Sequence, residues 1–342
     1  MMEMKTRFLI TITVMVLLSI LAVIAYDSIA LDKVCRDDGG KRDGDICKIP
    51  IIINSTKDSS QTVDVSQIKT MKPNSMELFY YPNIKDSEKR DTYKLFMLIR
   101  LPEWMGGDVN DASAFRAYSA KSLDDACIVK YWPDDGRQRI ENPCQGGMYR
   151  ISDGAMTVGA IHMSVPMTAL PHLDLSSDDN GFLYVESPSF TKNENGVIGY
   201  GKEITHEDVL HGSQFYIDSF EKSFPDYPKI PIKFAGMTLA EIKPDDQGFT
   251  ILYSEFAPLS QSIEVNITKC NCNTLQGHYS YDTLETIDGI VVAIHDTRST
   301  WPDVNDNLNK YHIKFAKDGF EYKVVGKNLE LLKSNILSEL LD

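Results

Sequence analysis

Residues 8–26 carry no charged side chain, and only Thr11, Thr13 and Ser19 interrupt a run that is otherwise apolar. Inside a bilayer such a run has one option, a helix, because each backbone N–H and C=O must find its partner within the segment, and about 20 residues cross the hydrocarbon. Lys5 and Arg7 precede the run and Asp27 follows it. That asymmetry puts residues 1–7 in the cytoplasm and everything beyond 26 outside. A cleaved signal peptide, with Val23 and Ala25 as small residues near the cut, is the rival reading; the length of the run favours an uncleaved anchor. The chain is expected at a cell membrane, single-pass, with its bulk extracytoplasmic.

Export changes what the six cysteines mean, since disulfides persist outside the cytosol. They fall into three local pairs: Cys35 with Cys47, Cys127 with Cys144, and Cys270 with Cys272. Only the first two look comfortable as bridges. Cys35 and Cys47 close a polar loop, CRDDGGKRDGDIC, within the linker 27–48. The 342 residues suffice for about two domains, and 42% hydrophobic side chains are enough to fill their cores. A formal charge of −14 argues against nucleic acid as a partner, because a polyanion needs Lys and Arg to displace its counterions.

From 49 to 189 short β-rich segments alternate with turns: IPIIIN, VDVSQI, MELFYY, KLFMLIRL, SAFRAYSA, GMYRI and FLYVES. Such even spacing suggests a small sandwich or barrel. Residues 203–224 read as a helix, stopped by the Pro225-Asp226-Tyr227-Pro228 run that opens a linker. Beyond it the strands alternate more cleanly, with Ile263, Val265 and Ile267 on one face of SIEVNIT and a hairpin turn at Asp318-Gly319. Residues 328–341 make a closing amphipathic helix, with Leu329, Leu332, Ile336, Leu340 and Leu341 in one stripe. The expected fold is mainly β: a small β-sandwich or barrel domain over 49–195, helix and linker over 196–230, and an α+β domain with an antiparallel sheet and a C-terminal helix over 231–342.

The most specific signal lies between residues 115 and 170. FRAYSAKSLDDAC (115–127) and NPCQGGMY (142–149) are followed by the turn GAMTVGA and by ALPHLDL. Together they resemble the Rieske domain of quinol–cytochrome c reductases and related archaeal proteins, whose two loops carry Cys-x-His-x-x-Cys and Cys-x-Cys-His-Gly. The resemblance covers roughly residues 50–190. Laid on that pattern, the family's cysteine ligands fall on Ser122 and Asn142 and its histidine ligands on Asp124 and Gln145. Cys127 and Cys144 match the pair that ties the two loops together as a disulfide. Pro143, Gly146, Tyr149 and the Val158-Gly159-Ala160 turn match as well.

A Rieske [2Fe–2S] centre is held by two thiolates on one iron and two imidazoles on the other. Ser, Asn and Gln are neutral hard-oxygen donors, and one Asp cannot replace four ligands. No cofactor and no catalytic residue are therefore expected. The resemblance then implies an accessory or interaction subunit, tethered by its N-terminal helix, with a protein partner in a respiratory quinol-oxidising complex.

Two alternatives stand beside this reading. One is a genuine [2Fe–2S] electron-transfer subunit of a quinol oxidoreductase. The other is an extracytoplasmic soft-metal protein, in which Cys270 and Cys272, two apart on a strand and so facing the same way, share a metal with His278. Two surface thiols, oxidised together or paired elsewhere, are the plain reading of that pair. His206-Glu207 with His211 is set aside as a zinc site, because that motif needs its histidines four apart on one helix face.

Overall fold

The computed structural model describes residues 40–44, 46–51, 53–54, 62–63, 68–81, 94–122, 127–133, 137–158, 169–186, 205–256, 262–280, 282–299 and 310–341, together with residues 16, 20, 29, 30, 32, 33, 35 and 36. Among the described residues no helix is long and apolar enough to cross a membrane. The predicted anchor, 8–26, lies outside them except for Val16 and Ile20, both helical.

The protein is mainly β, with antiparallel sheets throughout. Of the four sheets among the described residues, three belong to the first half of the chain. In the first, β1 (Lys41–Asp43) and β2 (Ile46–Pro50) form a hairpin, and β2 pairs with β14 (Leu183–Glu186), itself paired with β13 (Leu175–Ser177), so this half closes on its own ends. A six-stranded sheet runs in the order β12 (His172–Leu173), β7 (Phe115–Ser119), β6 (Leu95–Arg100), β5 (Ser75–Tyr80), β3 (Ile53–Asn54) and β4 (Thr62–Val63). The third is a four-stranded meander of β8 (Lys130–Trp132), β9 (Arg139–Glu141), β10 (Met148–Tyr149) and β11 (Met156–Val158).

The unbroken apolar run of β6 explains how the layers stack. A strand with one wet face alternates, whereas LFMLIR is buried at every position. Phe96 and Leu98 enter the core between the first two sheets. Leu95, Met97 and Ile99 turn to the opposite side, into a larger core that continues through Tyr131, Ile140 and Tyr149 of the meander to the second half of the chain.

That second half is one eight-stranded sheet in the order β15 (Lys233–Phe234), β16 (Met237–Pro244), β17 (Gly248–Ser254), β18 (Ser262–Lys269), β22 (Phe320–Gly326), β21 (Tyr311–Lys317), β20 (Ile290–Asp296) and β19 (Thr283–Ile287). Its inner face is apolar, and Ile263, Val265 and Ile267 lie buried together as their spacing predicts. Two hairpins turn through Asp288-Gly289 and Asp318-Gly319, all four residues at positive φ (46°, 85°, 51° and 84°), the backbone a two-residue turn needs to match strand twist.

Helix α1 (His206–Ser223) begins at Thr205, whose hydroxyl accepts the Asp208 N–H while the Asp208 carboxylate accepts the Thr205 N–H, a reciprocal cap. It ends before Pro225, which has no N–H to continue it. Its Tyr216, Ile217 and Phe220 are buried in the same core as the sheet, and Phe220 meets Phe249 edge-on at 4.7 Å. The helix expected over 203–224 is thus present at His206–Ser223 and packed into the large core. Helix α2 (Leu329–Glu339), capped by Asn328, adds Leu332, Ile336 and Leu340 to that core.

Candidate functional site

Two loops meet at one end of the meander: residues 120–129 between β7 and β8, and 142–147 between β9 and β10. The Cys127–Cys144 disulfide joins them, its Cα atoms 6.3 Å apart. In the first loop the Ser122 N–H donates to the Cys127 carbonyl at 2.8 Å. Ser122 is 2% exposed, and its hydroxyl has no hydrogen-bond partner among the described residues.

The second loop is braced by Asn142, 3% exposed. Its N–H donates to the Gly147 carbonyl, its carbonyl accepts the Gly146 N–H, and its Oδ1 accepts the Cys144 N–H at 2.9 Å. This is the ordinary work of an Asn in a tight turn, its side chain standing in for a backbone acceptor. Gly146 adopts φ 76°, a conformation that favours glycine. Gln145 is exposed at the tip, and Asp124 lies outside the described residues.

A buried hydroxyl and a carboxamide already accepting a backbone N–H are not the thiolates a Rieske iron pair needs. These residues do not fit that cluster.

The third cysteine pair departs from expectation. Cys270 and Cys272 are bonded to each other, and they pin the loop to the Asp318-Gly319 hairpin: the Cys270 N–H donates to the Gly319 carbonyl at 2.7 Å, and the Gly319 N–H to the Cys272 carbonyl at 3.2 Å. Sulfurs oxidised to a cystine are not the thiolate ligands that a soft-metal site of Cys270, Cys272 and His278 would need. Cys35 and Cys47 are bonded as anticipated.

His278 belongs to a different constellation, which the sequence did not reveal. It lines a cleft of about 750 Å³ with Asp282, His295, His312, Lys314 and Lys323. No family model matches the chain, and no curated protein matches it. The cleft residues come from four segments between 278 and 323, and the signal in the sequence was that the strands IVVAIHD and YHIKFAK carry His295 and His312. His206 and His211 are exposed on α1.

The Cys127–Cys144 bridge closes a segment of sequence separation 17. Replacing both cysteines by serine is expected to lower stability by about 3 kcal/mol, the chain-entropy value for a loop of that size. The measurement is the urea midpoint under oxidising conditions. An unchanged midpoint would show that the two loops need no covalent link.

Proposed function

We propose that residues 49–195 are a Rieske-type domain that keeps the inter-loop cystine and has given up the cluster, and that the protein works as an accessory or interaction subunit. In this reading residues 8–26 anchor it, its bulk is extracytoplasmic, and its partner belongs to a respiratory quinol-oxidising complex. The observation that carries it is the use made of Asn142: buried, and spending its side-chain acceptor on the Cys144 N–H, it serves the loop at a position where the family pattern has a cysteine ligand. Two further features support the reading. The two loops that the resemblance pairs are joined by Cys127–Cys144, and three cystines suit an oxidising compartment.

The test is iron and acid-labile sulfide analysis of the purified full chain, joined to its visible spectrum. Colourless protein with substoichiometric iron is expected. Brown protein with two irons and two sulfides per chain would return the assignment to a [2Fe–2S] electron carrier, whose spectrum is set by thiolate and imidazole ligation.

A further inference from the structure

The outer face of the eight-stranded sheet is covered at one end and open at the other. Over β16 and β17 it is covered by Ala155 of the first half, Val209 of α1 and Phe256 just after β17, which pack with Ala240 and Leu252. At the open end, strand register sets two basic rows side by side. His295 of β20 lies directly opposite His312 of β21, and Lys314 of β21 directly opposite Lys323 of β22.

Like charges facing each other across two strands repel, so the lysine row calls for a counter-charge. Glu321 supplies one for Lys314 at 3.1 Å. Lys323 has no ion-pair partner among the described residues, although it lines the same cleft. The imidazole rings of His295 and His312 are 5.8 Å apart. Asp282, with a side chain 5% exposed, has Oδ1 3.3 Å from His295 Nδ1, off the hydrogen-bonding direction, and its Oδ2 accepts the Tyr279 N–H at 2.7 Å.

His312 is differently placed. Facing it are Lys323 from β22, His295 from β20, Glu264 from β18 and Asp282 from the loop before β19, with Lys314 two residues along its own strand. Burial first, then Lys323 and His295, outweigh the two acids and hold its pKa below the ordinary histidine value. Beside its two carboxylates, Asp282 and Glu321, the cleft holds an exposed lysine, Lys323, with no ion-pair partner among the described residues, a second lysine, and an imidazole kept from its proton first by burial and then by neighbouring positive charge.

We propose that this cleft binds a small oxyanion carrying at least two negative charges, a polycarboxylate or a phosphate ester, seated between His312, Lys314 and Lys323. A metal ion is the poorer occupant. The two lysines repel it, and among the described residues no three His, Cys, Asp or Glu side chains converge as ligands. The proposal does not rest on the reading of the Cys127–Cys144 loops, which lie in another sheet.

Binding has a proton signature. The bound anion offsets the positive neighbours of His312 and raises its pKa from the depressed value, while burial, the larger cause, stays; the complex takes up a proton in the window between the free and the bound pKa and none well above it. Affinity therefore rises as pH falls through that window.

The experiment is isothermal titration of the full chain with citrate and with pyrophosphate, at about pH 6 and about pH 8, in two buffers of different protonation enthalpy. One of these anions is expected to bind with proton uptake at the lower pH, and which one it is separates carboxylate from phosphate. Lys323→Met should weaken binding about tenfold or more, and His312→Asn should abolish the proton uptake. Lys130→Met, which removes an exposed lysine of β8, should bind as the unaltered protein does. Absence of binding by both anions at millimolar concentration, or equal binding by Lys323→Met, overturns the proposal.

Discussion

Lys243→Met is expected to destabilise the protein by about 3–5 kcal/mol, the penalty for leaving a buried carboxylate without its cation. Glu241 and Lys243 stand two apart on β16, on the sheet face that the first half of the chain covers. Lys243 Nζ is 2.7 Å from Glu241 Oε2, with the two side chains 5% and 1% exposed, though the contact is off the hydrogen-bonding direction. The Thr157 hydroxyl of β11 reaches Glu241 Oε1 at 3.4 Å, and the Ser254 hydroxyl donates to the Thr157 carbonyl at 2.6 Å. Methionine keeps most of the lysine's length and removes only its charge, so packing changes little.

The companion variant decides the interpretation. Lys243→Met combined with Glu241→Leu should recover most of the loss, because an apolar pair of similar volume carries no desolvation penalty. Guanidinium unfolding of the three proteins measures both effects. A single variant within about 1 kcal/mol of the unaltered protein would place this pair among solvated surface contacts.

Arg150→Met should remove about 3 kcal/mol. The Arg150 side chain is 0% exposed and pairs with Asp153: Nε and Nη2 donate to the two carboxylate oxygens at 2.7 and 2.6 Å. Nη2 also donates to the Val209 carbonyl at 3.1 Å, and Nη1 to the Ser213 hydroxyl at 3.3 Å. The guanidinium lies 5.0 Å from the centre of the Phe256 ring. Gly212 makes room for it, since a Cβ there would stand 2.1 Å from Nη2.

Arg150 thereby holds the turn after β10 against α1. Charge-assisted hydrogen bonds contribute roughly 1.5–3 kcal/mol each. Asp153 keeps 31% exposure and regains water once the arginine is gone, which discounts the sum. Hydrogen exchange should show the α1 amides losing protection in this variant. Unchanged protection and an unchanged unfolding midpoint would mean that apolar packing alone secures the helix.

Much of the fold was legible from local pattern. Residues 203–224 and 328–341 became α1 and α2 within a few residues, since caps and prolines act within one turn. The strands MTLAEI, FTILYSEF and SIEVNIT were legible because each has one buried face and is long enough to alternate. The meander was harder. Strands of two or three residues, such as β8, β9 and β10, show no periodicity, and GMYRI alone hinted at them. KLFMLIRL was read as a strand, yet its service to two cores depends on layers from elsewhere in the chain, one of them including residues more than a hundred positions away.

The candidate sites divide in the same way. The 35–47 and 127–144 cystines followed from local pairing and, for the second, from the family pattern, whereas the Cys270–Cys272 bond depends on how the chain bends at Asn271. Ser122 and Asn142 were named from sequence; that one would be buried, its hydroxyl without a partner among the described residues, and the other would brace its loop was not visible there.

What the sequence determined by itself is whatever one turn or one strand can enforce: the helix ends, the Asp-Gly hairpins and the alternation of the second sheet. Only the tertiary structure decided which distant groups meet. Antiparallel register across β20, β21 and β22 brings two histidines and two lysines into one cleft, and burial between the two halves turns Arg150, Glu241 and Lys243 from surface-type charges into internal ones. Both depend on long-range pairing, because neither a cross-strand neighbour nor the dielectric around a charge is encoded within a few residues of it.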